Sequence, residues 1–119
     1  MGLFSKKSKN TKNTNASSNS VLKTTVTNSG AEYTFLLEGK LDTMTSPDLE
    51  KKINEVADKA DKLIFDLDKL EYISSAGLRV LLGAAQAMED KGEMVVRNLS
   101  QAVCDVFELT SFNLLFTIE

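Results

Sequence analysis

The sequence contains no histidine and no tryptophan, and Cys104 is its only cysteine. An imidazole base, a Cys/His zinc cluster and an internal disulfide are therefore all excluded, and most enzyme templates go with them. No apolar run approaches the roughly 20 residues that cross a bilayer, and no apolar stretch follows the early lysines as it would in a signal peptide. These absences predict a cytoplasmic protein. The 119 residues suffice for one compact domain, and no internal repeat divides them.

Charge is distributed unevenly. Residues 1–20 hold four lysines (Lys6, Lys7, Lys9, Lys12) among Ser, Asn and Thr, and the first acid is Glu32. Such a composition has too few apolar side chains to offset the entropy of ordering, so residues 1–20 read as a disordered polar tail. Met1-Gly2 looks like the start of a myristoylation signal, but Lys6 stands where that motif needs Ser or Thr. Leu3 and Phe4 beside lysines offer at most a weak contact with an anionic membrane, and a solvated tail is the plainer reading. The remaining ten basic and all seventeen acidic residues fall in 21–119, which gives that part a formal charge of −7. An acidic domain is a poor partner for nucleic acid.

From Val21 onward apolar and polar residues alternate, first through Val26 and then through Tyr33, Phe35 and Leu37, with Asn28-Ser29-Gly30 between the runs. This predicts a hairpin of two strands. Ser46 suits an N-cap and Pro47 a first helical position, and Leu49, Ile53, Val56, Ala57 and Ala60 follow at helical spacing. A first helix is expected over residues 46–60. The run 62–67 has strand length and reads as a central strand buried on both faces, followed by a loop over 68–73. A second helix starts at Ser75, carries Leu78, Leu81, Leu82, Ala85 and Met88 on its inner face, and ends near Lys91-Gly92. Gly83 inside it suggests close approach to a sheet. A strand over 93–98, a third helix capped by Ser100 with Val103, Val106, Phe107 and Thr110 on one face, and a final strand over 115–118 complete the order ββαβαβαβ. Short connections and right-handed crossovers make this an α/β fold with a mixed sheet of four or five strands and helices mainly on one side.

Two hydroxyls and a glycine stand at the start of the second helix, in Tyr72-Ile73-Ser74-Ser75-Ala76-Gly77-Leu78. Unpaired N–H groups and the positive end of the helix dipole gather there, so the place favours an anion or a phosphoryl group. On local physics alone an ordinary serine cap is by far the commoner arrangement. Ser74-Ser75-Ala76-Gly77-Leu78-Arg79 matches neither the GxxxxGK[ST] phosphate loop nor a GxSxG elbow, and no SxxK spacing supplies a base. Asp42 and Asp66 stand at expected strand ends and could share a magnesium ion, although turn and cap roles are far commoner for such acids. Cys104, between Val103 and Val106, reads as a packed thiol.

Three segments together resemble the STAS domain of bacterial anti-sigma factor antagonists: residues 35–42 (FLLEGKLD), 64–67 (IFDL) and 72–82 (YISSAGLRVLL). The resemblance extends from about Val21 to the C-terminus, and the Ser-x-Gly-Leu run is its most specific part. It implies a binding protein without catalytic activity, cofactor or metal. In that family the unmodified domain binds an anti-sigma factor that is also a serine/threonine kinase, and phosphorylation of one serine breaks the complex. A serine phosphatase is implied as a further partner. Carried over by position, the phosphoacceptor is Ser75, with Ser74 as second choice. Many relatives have an acid where Ser74 stands. The partner surface would comprise Asp42 and Thr43 from the loop after the second strand, with Ser74, Ser75, Ala76, Gly77 and Arg79. The alternative is a fixed, non-catalytic subunit of a lipid-transport complex or stress-signalling scaffold.

Overall fold

The alternation that begins at Val21 folds as expected. In the computed structural model, which describes residues 21–119, β1 (Leu22–Ser29) and β2 (Glu32–Leu41) form an antiparallel hairpin turned by Gly30 and Ala31. Gly30 takes φ +61°, a conformation that costs glycine nothing. The expectations of a polar tail and of weak membrane contact fall on residues 1–20, outside the described residues.

After the hairpin come α1 (Ser46–Ala57), β3 (Lys62–Ile73), α2 (Ser75–Met88), β4 (Glu93–Arg97), α3 (Gln101–Thr110), a 3-10 turn (Phe112–Leu114) and β5 (Thr117–Ile118). The strands make one sheet in the order β1-β2-β3-β4-β5, parallel everywhere except within the hairpin. The fold is thus a five-stranded mixed sheet with three helices.

One face of this sheet packs against all three helices. Phe35 and Phe65, adjacent in the β2/β3 register, stack with ring centroids 5.1 Å apart. They share a single cluster with Leu49 and Ile53 of α1, Leu78, Leu81, Ala84 and Met88 of α2, and Val103 and Phe107 of α3. Each of the larger apolar side chains contributes about 1.5–3 kcal/mol by leaving water, so α2 is held to the sheet by its stripe more than by its own hydrogen bonds. Lys51, Lys52 and Glu55 are exposed, as the helical spacing requires, and Lys59 is exposed just beyond the end of α1.

Several expectations need correction. Residues 68–73 are not a loop: β3 continues to Ile73 and stays paired with β2 through register shifts between Leu36 and Glu38 and between Gly39 and Lys40. Those irregularities bury Leu67, Leu70 and Ile73 at a spacing of three instead of two, which erases the strand signature from the sequence. Asp66 is consequently in mid-strand. The first helix ends at Ala57, and its N-cap is Thr45, so Ser46 and Pro47 occupy the first two helical positions. Gly83 is exposed, and a Cβ built there meets nothing within 4 Å, so close approach to the sheet is not the reason for this glycine. The last strand is shorter than expected because residues 112–114 coil into the 3-10 turn.

Candidate functional site

The parallel strands β2 and β3 end together, with Leu41 opposite Ile73. Residues 42–45 lead from the first of these ends into α1, and Ser74 leads from the second into α2. The backbone N–H of Ser74 donates to the Leu41 carbonyl at 2.9 Å, which ties the start of α2 to the end of β2. Gly77 seals this junction from beneath. It is buried, and an added Cβ would lie 2.7 Å from Leu41 Cγ and 3.0 Å from Ile73 Cγ1. Only glycine lets the first turn of α2 rest on the two strand ends.

The two serines have different tasks. Ser74 is half-buried and extended at φ −97°, ψ 175°, and its Oγ accepts from the Gly77 N–H at 3.3 Å while its carbonyl accepts from Leu78 N at 2.9 Å. It is the N-cap. Ser75, the first residue of α2, is exposed. No acid lies in the first turn of α2, so the partial positive charge at this helix end has no carboxylate from its own helix.

Asp42 is built into the neighbouring turn. Its Oδ1 accepts from the N–H of Met44 at 2.9 Å and of Thr45 at 3.1 Å, while the Ser46 hydroxyl donates to its carbonyl. Thr45 completes the turn, since its hydroxyl accepts from Asp42 N at 2.9 Å and donates to the Lys40 carbonyl at 2.8 Å. This network leaves Thr43 and Met44 exposed, Met44 to 74%.

Between the N-terminal turns of α1 and α2 runs a shallow groove of about 200 Å³, lined by Thr43, Ser46, Pro47, Glu50, Ala76, Arg79 and Val80. Asp42, Thr43, Ser74, Ser75, Ala76, Gly77 and Arg79 are therefore brought to one end of the fold. Gly77 belongs to the support beneath that end, whereas Thr43, Ser75 and Arg79 are exposed on it. Met44, Pro47, Glu50 and Val80 were not anticipated. Ala76, Arg79 and Val80 repeat at helical spacing, and that pattern is the signal that would have added Val80. Nothing local to Glu50 or Pro47 shows that α1 and α2 begin side by side.

Asp66 does not join this site. Its Oδ1 accepts from Asp68 N at 3.1 Å and its Oδ2 from Asn98 Nδ2 at 3.1 Å, opposite Leu36 and Arg97 in the sheet. Six residues of β3 lie between it and Ile73, so it stands roughly 20 Å from the Asp42 end and the two acids cannot share one ion.

Comparison with known proteins gives a consistent result. The family model described as the STAS domain matches residues 23–119. BtrV of Bordetella bronchiseptica, named provisionally as an anti-sigma factor antagonist, is 38% identical over 84 residues, which cover 69% of this chain and 72% of that protein. The crystal structure of an anti-sigma factor antagonist from Mycobacterium paratuberculosis superposes with a TM-score of 0.75 at 25% identity, covering 82% of this chain and 85% of that one. The antagonist SpoIIAA in its unphosphorylated form shares the fold at TM-score 0.71 and 19% identity over 83% of this chain and 88% of its own. The phosphorylated form of the Bacillus SpoIIAA does so at 0.65 and 18%, over 83% and 91%.

Proposed function

Because the chain belongs to the STAS domain family, we propose that it is an anti-sigma factor antagonist: unmodified, it binds an anti-sigma factor that is also a serine/threonine kinase, and phosphorylation of Ser75 ends that binding. It works in the cytoplasm as a binding regulator, and a serine phosphatase restores the binding form. No helix among the described residues is long and apolar enough to cross a membrane, which agrees with such a place.

The observation that carries this reading is the division of labour between the two serines. Ser74 uses its hydroxyl to cap α2, and Ser75 presents an exposed hydroxyl at the same helix end. A phosphate at Ser75 adds about −1.5 to −2 charges at a terminus whose dipole favours them, so the fold tolerates it. The partner does not. A surface formed to meet Thr43, Ser75, Ala76 and Arg79 in the unmodified protein would have to bury that dianion without a group of its own to pair it, at a cost of several kcal/mol, enough to abolish a micromolar complex.

The test is phosphopeptide mapping by mass spectrometry after incubation with the kinase that the unmodified protein captures. Phosphate is expected on Ser75, with release of the protein. Modification of Ser75→Ala protein at Ser74 would overturn the assignment.

A further inference from the structure

Arg79 lies one helical turn beyond Ser75, and side chains four residues apart on a helix are neighbours with Cβ atoms roughly 5–6 Å apart. Long helical side chains lean toward the N-terminus and cover the preceding turn, which brings the guanidinium of Arg79 within reach of a group carried by Ser75. Arg79 is exposed and makes no ion pair or hydrogen bond among the described residues. The chain's other arginine, Arg97, is already paired with Glu119 at 3.3 Å. An acid placed N-terminal to a base at this spacing is the favourable orientation, and phosphate on arginine is the strong, bidentate version of it.

Building on the proposed phosphorylation of Ser75, we infer that Arg79 captures the phosphate within the helix. Modification then changes the surface twice: it adds a dianion, and it withdraws the cation that the unmodified site offers to acidic groups of the partner. The pair also closes the end of the groove between α1 and α2, since Arg79 is one of its walls. One acid, Glu50 of α1, lines this groove, and Asp42 stands in the turn beside it. Among the described residues Arg79 is the cation that lines this groove, and the Asp42 carboxylate is held by the N–H groups of Met44 and Thr45.

The experiment is a 31P NMR titration of the protein carrying phosphoserine at position 75, alone and with Arg79→Gln or Arg79→Lys. Pairing with Arg79 stabilises the dianion, so Arg79→Gln should raise the second phosphate pKa by about 0.5 unit, with Arg79→Lys between the two. Asp42 and Glu50 act alike on all three proteins and cancel from the comparison. Superimposable titration curves for the unsubstituted and Arg79→Gln proteins would overturn the capture. Genetic installation of the phosphoserine makes this result independent of any kinase. A kinase that neither binds nor modifies the chain removes the proposed function while leaving the titration difference standing.

Discussion

The Ser74 N–H and the Leu41 carbonyl, 2.9 Å apart, join the start of α2 to the end of β2. Through this bond the loop holding Asp42 and Thr43 and the helix turn holding Ser75 become one surface, although more than thirty residues separate them in sequence. The hydrogen bond survives any change of side chain at Ser74 other than to proline, which has no N–H. The cap does not, because Gly77 N–H donates to the Ser74 hydroxyl.

Ser74→Ala should therefore destabilise the fold by ~1 kcal/mol, the usual cost of a lost N-cap. Urea denaturation measures the loss. The same variant should still accept phosphate at Ser75, because the acceptor hydroxyl belongs to the next residue. Wild-type stability would show that the cap contributes nothing, and loss of modification would show that Ser74 is itself the acceptor.

The two glycines of α2 should respond in opposite directions to the same substitution. Gly77→Ala drives a methyl group against Leu41 and Ile73 and should cost roughly 1–3 kcal/mol, the range for overpacking a core. Gly83→Ala adds a methyl group in open space within a helix and should stabilise by ~1 kcal/mol. Shifts of the denaturation midpoint in opposite directions, without change of slope, are the expected signature.

Cys104 should react slowly. Its thiol pKa is raised by desolvation, then by the charge of Glu108 and a hydrogen bond to it at 3.6 Å, and further by Asp105. All of these favour the protonated thiol, so the thiolate that alkylating reagents attack is scarcer at pH 8 than in the unfolded chain. Alkylation in native buffer should be slower than in urea, and Glu108→Gln should accelerate it. An unchanged rate in that variant would mean that Glu108 does not govern the thiol.

The sequence carried more of the helices than of the strands. Leu49 and Ile53, Leu78, Leu81 and Met88, and Val103 and Phe107 are all buried where helical spacing places them, because a helix repeats without regard to its neighbours. The second half of β3 was illegible, since its burial pattern is set by bulges in the β2 pairing that no local property of Asp68 or Leu70 encodes. At the site, Ser75, Thr43 and Arg79 could be chosen from the motif and the resemblance. The roles of the glycines could not. Gly77 and Gly83 look alike in a helical stretch, and only the packing of Leu41 and Ile73 under one of them tells them apart.

The central claim, that a charge at Ser75 silences partner binding without disturbing the fold, is tested most directly by isothermal titration calorimetry of Ser75→Ala, Ser75→Asp and Ser75→Glu against the partner kinase, with circular dichroism of each. The alanine variant should bind as the unmodified protein does, and both acidic variants should keep their spectra while losing at least about tenfold in affinity, a change of ~1.4 kcal/mol or more. Acidic variants that bind as tightly as the unmodified protein would contradict the switch and favour a fixed subunit, and acidic variants that unfold would contradict the accommodation of charge at the start of α2.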